Sequence, residues 1–495
     1  MFMKYFEISV IFLIIFIIAS LVGFRNILRR KLYRAYMLRK FTEICRQNSF
    51  DCIFSSYLII KVSDFVYSLP KKNKDILFSD LDSFDYAGFI NRLSSLNESL
   101  SNIVLAHFNL KQAKKNLQTY LKTNCADILP LLALALIYAK EFDYLKLKKV
   151  LTSIKQCKAD KLQKALILKL EAILSMVDSD MLSASQNAVM SAKIFKKYDL
   201  PYEEAESYLL LGEIYRISMV FDVSQIMYDE AEKIYVLLKS YENMANVKAL
   251  KGMLFVAQER FDEAKDLFSE SEKIFSKYKK YVHKAEIINQ QSLSAILQKK
   301  YSKGLKYANN ALEIHKKYKS IRGMAFSYEL ISLIKYLQKK YNEVYISAKL
   351  SMKLYLKTKN YSGFQDCGFV LAQSYFCIKD YENSQKICRE IIDSYEKHPT
   401  CFHIAGVYSL LGMIYVKLKD FNRASALFKK ALNMEQCNER YSAAAADYVN
   451  LALISLRRGH NHDASVHLQS ALESAEKNGD KELCALITKY MKKNT

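Results

Sequence analysis

The stretch Leu410–Ala431, LLGMIYVKLKDFNRASALFKKA, decides the architecture, because its features return elsewhere in the chain every 40 residues. Stepping from Gly412 by that interval gives Gly212, Gly252, Ser292, Ser332, Ala372 and Ala452, all small. Nine residues further along stand Phe221, Phe261, Tyr301, Tyr341, Tyr381, Phe421 and Asn461, aromatic in six of seven. Two more columns, through Ala424 and through Ala431, are small in six of seven. Self-similarity at a period of roughly 20 to 50 residues marks an array of stacked units.

The offsets within one unit say what it is. Leu410, Leu411, Ile414 and Tyr415, then Ala424, Leu427, Phe428, Ala431 and Leu432, fall three and four apart, the spacing of an amphipathic helix. Small residues belong where two helix backbones come close, and the aromatic marks the turn between them. Each unit is therefore expected to be a helical hairpin, which buries its apolar stripe only by stacking on its neighbours.

The pair Gly412 and Tyr415, followed by Phe421, Ala424, Phe428 and Ala431, resembles the signature positions of a tetratricopeptide (TPR) repeat. The resemblance is good from about residue 200 onward and weaker back to residue 91. The 40-residue period, longer than the common 34 or so, is similar to the extended repeats of kinesin light chains. The resemblance implies an all-α, superhelical TPR-like solenoid with a groove lined by the first helix of each hairpin. On the family pattern that lining includes Asn289, Leu293, Ile296, Glu329, Leu333, Tyr336, Phe369, Gln373, Phe376 and Asn450. The family's asparagine ladder is represented by Asn450 and Gln290 only, with leucine at 210, 250, 330 and 410.

Composition agrees with helix throughout: 12 Gly and 4 Pro in 495 residues leave little material for turns or strands. Ten cysteines include no C-x-x-C pair, so buried, reduced thiols are expected, with Cys388 in a packing column as the example. The organisation reads as a membrane anchor with a basic flank (1–40), a helical linker (41–90), degenerate hairpins (91–199), the regular array (200–480) and a capping helix (481–495). The anchor is the uncharged run Ile8–Phe24, followed by Arg25, Arg29, Arg30, Lys31 and Arg34. Its length suits a span, and the positive-inside rule expects a single-pass protein with the array in the cytoplasm. A cleaved signal peptide is the alternative, and Ala19–Gly23 is a poor cleavage site.

No enzyme constellation is present. Gly363 and Gly368 have phosphate-loop spacing, but Phe369 and Val370 stand where Lys and Ser/Thr are required. His460, His462, Asp463 and His467 fall short of a metal site with defined geometry. The chain is thus expected to be a non-enzyme with no cofactor and no metal.

Charge is unevenly placed. Residues 201–270 carry 7 basic and 14 acidic side chains, a net of −7, and residues 271–360 carry 20 basic and 5 acidic, a net of +15. The period aligns Lys299, Lys339, Lys379 and Lys419 in one turn column and Lys279, Lys319 and Lys359 in another, with Lys300 and Lys340 beside the first. The function expected is a membrane-anchored scaffold that binds a protein partner, with an acidic segment as the ligand and Lys299, Lys300, Lys339 and Lys340 steering it. That segment comes from another protein or, by head-to-tail self-association, from a second copy. A basic-surface binder of nucleic acid or anionic lipid is the alternative, nucleic acid being disfavoured because no stacking platform stands outside the repeat columns.

Overall fold

The computed structural model describes residues 86–494 apart from Asn109, 398–402 and 438–440, together with Val62, Phe65, Val66, Leu69 and Leu77 upstream. The expected anchor at Ile8–Phe24, its basic flank and most of the 41–90 linker lie outside the described residues. Among those described, no helix is long and apolar enough to cross a membrane.

Every regular element among the described residues is an α-helix, 22 in all. The chain divides into two compact units, 1–254 and 255–495, with the boundary inside α10. The first unit holds α1 (Tyr86–Leu96), α2 (Glu98–Phe108), α3 (Leu110–Tyr120), α4 (Ile128–Glu141), α5 (Tyr144–Ile154), α6 (Lys161–Val177), α7 (Met181–Lys197), α8 (Pro201–Ile217), α9 (Phe221–Leu237) and most of α10 (Tyr241–Ala257). The second holds α11 (Phe261–Lys277), α12 (Tyr281–Leu297), α13 (Tyr301–Lys317), α14 (Ile321–Leu337), α15 (Tyr341–Lys357), α16 (Tyr361–Cys377), α17 (Tyr381–Lys397), α18 (Ile404–Lys417), α19 (Phe421–Cys437), α20 (Tyr441–Arg457), α21 (Asn461–Lys477) and α22 (Lys481–Asn494).

The 40-residue period is two 20-residue steps: a 17-residue helix, then a three-residue link whose middle residue is left-handed. This residue has φ between 52° and 65° at Ser179, Asp199, Met219 and Lys239, and again at Lys299, Lys319, Lys339 and Lys359. At the α12–α13 link, Lys299 N–H donates to the Ile296 carbonyl (2.8 Å) and Lys300 N–H to the Ala295 carbonyl (2.8 Å). These are the paired bonds that satisfy the last carbonyls of a helix in a Schellman turn. The lysine columns therefore have a definite backbone address, at a conformation that costs an L-residue roughly 1 to 2 kcal/mol. In the last repeat, Gly459 (φ 77°) and Gly479 (φ 71°) occupy the same position without that cost.

The small columns are crossing points. A Cβ at Gly412 would lie 2.9 Å from the buried Phe428 ring, and one at Gly212 2.3 Å from the Tyr228 ring. Where the column holds Ser292 or Ser332, the residue sixteen further on shrinks to Ala308 or Ala348, so the seam keeps its volume. A hydroxyl ties the crossing in several hairpins: Ser224 Oγ donates to the Gly212 carbonyl, Ser292 Oγ to Gly304 and Ser384 Oγ to Ala372, each at 2.8 Å. At the C-terminal end, α22 packs on α21 through Ile487, which is buried with Leu468, Ala471 and Ala475.

Two expectations need correction. Regular 20-residue spacing begins at Lys161 rather than near residue 200, with Ala172, Ala184 and Ser191 buried in the small columns and Met181 replacing the aromatic. Buried thiols hold for Cys367 and Cys388, whose thiol pKa values burial pushes up to about 12, but Cys125 and Cys377 are exposed.

Candidate protein-binding face

In the second unit, the first helix of each hairpin touches the first helix of the next: α12 packs on α14, α14 on α16, α16 on α18 and α18 on α20. No second helix makes comparable contact with the next second helix among the described residues. The first helices therefore form a continuous inner layer, and the second helices splay outward.

Tyr336, Phe369 and Phe376, expected as groove anchors, are all half-buried on this layer. Tyr336 and Phe376 come near the ends of α14 and α16, where each leans on the aromatic that opens the following helix. Tyr336 meets Tyr341 at 5.7 Å between centroids, and Phe376 meets Tyr381 at 5.6 Å. Successive repeats thus present an aromatic pair at the same edge as the left-handed Lys339 and Lys379. Phe369 lies deeper along α16, stacked on the His403 ring at 5.9 Å and 16°. Each ring is packed against the core of this unit yet only half-buried, which leaves apolar surface of the kind that anchors a peptide or helix.

The four candidate lysines are exposed, and among the described residues none has a carboxylate within ion-pair distance. Lys300 Nζ donates only to Gln298 Oε1 (2.6 Å). In the first unit much of the acidic excess is answered internally: Glu213 pairs with Arg216 (2.8 Å), Glu206 with Lys169 (3.4 Å), and Asp229 (2.6 Å) and Glu232 with Lys251. The basic excess is therefore the more open of the two toward an external partner.

Asn289 is a correction. It was expected on the groove, but it is fully buried, its Oδ1 accepting from Ser327 Oγ (3.1 Å) and its Nδ2 lying 3.5 Å from His315 Nε2. The His315 ring fills the space beside Gly323, where a Cβ would come within 2.1 Å. Burial pushes the His315 pKa down to about 4, so the ring is neutral and serves as an acceptor. Asn450 is half-buried, and its side chain is engaged with Asp447, which also accepts from Ser409 Oγ. It is thus partly committed to holding α20 on α18.

Sequence reasoning placed Glu329 in the groove lining but missed that it forms a carboxylate pair with Asp366 on this layer. Glu329 on α14 accepts from Tyr355 O–H, and burial outweighs that hydrogen bond to raise its pKa to about 7. Asp366 on α16 accepts from Ser362 Oγ (3.4 Å), and burial raises its pKa as well. The signal was available, since an acid on a helix otherwise rich in apolar residues is anomalous, but only the fold puts Tyr355 against it.

The histidine group does not converge. His460 Nδ1 lies 3.6 Å from Asp463 Oδ2 at the exposed start of α21, whereas His467 stacks on Tyr448 at 6.4 Å. Among the described residues no three such side chains are placed to hold a metal ion.

No family profile and no curated protein matches this sequence. Among solved structures it is similar to a Rap protein complexed with competence and sporulation factor, at 12% identity over 69% of this chain and 96% of that one, with a TM-score of 0.49. It is similar to aspartyl phosphate phosphatase F from Bacillus subtilis, at 12% identity over 70% and 94%, TM-score 0.45. A signal-transduction ATPase with a tetratricopeptide repeat sensor from Pyrococcus horikoshii gives 14% identity over 80% and 72%, TM-score 0.43. At these identities and scores they transfer neither ligand nor partner. The described residues form an all-helical, TPR-like repeat array.

Proposed function

We propose that this chain is a scaffold that binds a segment of another protein on the inner layer of its second unit. The segment is acidic and anchors apolar side chains against Tyr336, Phe369 and Phe376. The observation that carries the reading is the pairing of half-buried aromatic rings with lysines that have no internal carboxylate, repeated at one edge of successive hairpins. A few apolar anchors supply affinity in such grooves, and unpaired lysines raise the encounter rate with an acidic ligand. The scaffold is held at a membrane by Ile8–Phe24, with the array on the cytoplasmic side; carbonate washing that releases the intact chain would contradict that part.

The test is site-specific photo-crosslinking from Tyr336 and Phe376 in the full-length chain. Cross-linked segments rich in Asp and Glu, with lower yield at high salt, are the expected result. Cross-links of equal yield from an outward position such as Lys306 would remove the inner layer from the account.

A further inference from the structure

The outward faces of the second helices are polar throughout most of the second unit, and α15 breaks the rule. Ile346 is 68% exposed, Tyr345 49%, Leu356 47% and Leu350 39%. The 40-residue register makes the anomaly plain. Ile346 stands between Lys306 and Lys386, Leu350 between Asn310 and Glu390, and Leu356 between Lys316 and Glu396. The opposite face of α15 is committed to the core through Val344, Ala348, Met352 and Tyr355; of the outward residues Tyr345 meets Tyr375 of α16 edge-on at 6.3 Å between centroids, whereas Ile346, Leu350 and Leu356 take no part in the core cluster of this region.

Lysines are interleaved with it. At 100° per residue, Lys349 and Lys353 run between Tyr345 and Leu356 on one side and Ile346 and Leu350 on the other, and Lys357 falls between Ile346 and Leu350. Among the described residues none of the three has a carboxylate within ion-pair distance. The neighbouring α13 adds Lys303, Lys306, Lys316 and Lys317, against Glu313 alone on its exposed face.

We propose that this face of α15 lies on an anionic lipid bilayer, as a contact additional to the partner-binding layer. Charge favours lipid over a protein helix. Lysines in the middle of a dry protein interface would each need a buried carboxylate, which is why lysine is depleted there. A headgroup layer instead supplies phosphate and carboxylate at any spacing, and lysine stems extend to it past side chains that sink into the acyl boundary. Basic residues close to such a surface are drawn to it by its negative potential.

The chain contains no tryptophan, so Ile346→Trp installs a single reporter in the full-length protein. It is mixed with vesicles of phosphatidylcholine alone or of phosphatidylcholine with phosphatidylserine, and Glu473→Trp on α21 serves as the control position. The proposal expects a blue shift and quenching by brominated lipid for the Ile346→Trp chain with the anionic vesicles. Both are lost when Lys349, Lys353 and Lys357 are reversed to glutamate with helical content unchanged, and the Glu473→Trp chain keeps solvent-like emission. The proposal is overturned by emission that ignores both vesicle types, by an equal shift in phosphatidylcholine alone, or by a concentration-dependent shift without vesicles. The last outcome would give this face to a second copy of the chain.

Discussion

Replacing Lys339 by glycine should stabilise the fold and weaken its function. Lys339 sits at φ 61° in the α14–α15 link, its N–H donating to the Tyr336 carbonyl at 2.8 Å. Left-handed backbone costs a non-glycine residue roughly 1 to 2 kcal/mol, and glycine gives back about 0.5 to 1 kcal/mol through the entropy of its unfolded chain. The net expectation is a gain of about 0.5 to 1 kcal/mol, with Lys339→Asn gaining less. Native precedent stands at Gly459 and Gly479, which hold the same position at φ 77° and 71°. The assays are urea unfolding and amide hydrogen exchange of α14 and α15, alongside partner binding. A variant that is destabilised, or that gains stability with binding untouched, would refute the reasoning. The first outcome would mean that the lysine makes a stabilising contact, the second that its charge has no use.

Other consequences are as direct. Gly412→Ala should destabilise by roughly 1 to 3 kcal/mol, because the added Cβ meets the Phe428 ring in a packed seam; combining it with Phe428→Leu should recover much of the loss in thermal unfolding. Ala431→Arg, at a position with no exposure, should unfold its hairpin and be seen as lost helical circular dichroism. Glu329 binds a proton more tightly folded than unfolded, so its stabilising contribution is complete below the ordinary carboxylate pKa near 4.5 and is lost as pH rises through about 7. Unfolding of Glu329→Gln compared with the parent across that window should show the slope removed and the variant relatively more stable at pH 8. His315 works in the opposite sense: depressed to about 4, it contributes above pH 6.5 and loses that contribution as pH falls through about 4.

The helical hairpins were legible because packing at a crossing point tolerates few side-chain sizes, so Gly412, Phe421 and Ala431 write a period into the sequence. The hairpin from Lys161 to Lys197 reads as degenerate in sequence because Met181 fills the place of the turn aromatic, although Met181–Ala192 is in step with the array and Ala172, Ala184 and Ser191 keep the small columns. The 20-residue step inside the 40-residue repeat was hidden for a different reason: the left-handed link constrains φ, not residue type, so Ser179, Asp199, Met219 and Lys239 share it without resembling one another. Family spacing put Tyr336, Phe369 and Phe376 on first helices, where they stand half-buried. The burial of Asn289 was not legible, since a polar residue on a first helix reads as a groove residue until Ser327 and His315 are seen to enclose it. The tie between Glu329 and Tyr355 spans 26 residues and two helices, beyond any local pattern.

The most direct measurement of the central claim reverses Lys299, Lys300, Lys339 and Lys340 to glutamate in the full-length chain. Helical content is confirmed first, and partner capture and sedimentation are then compared with the parent at low and high salt. The account expects the parent's partner or its self-association to be salt-sensitive and to be lost on reversal. Capture and association state that stay as they were at both salt concentrations would contradict it, leaving the lysines a solvated edge and the aromatic layer without its steering charge.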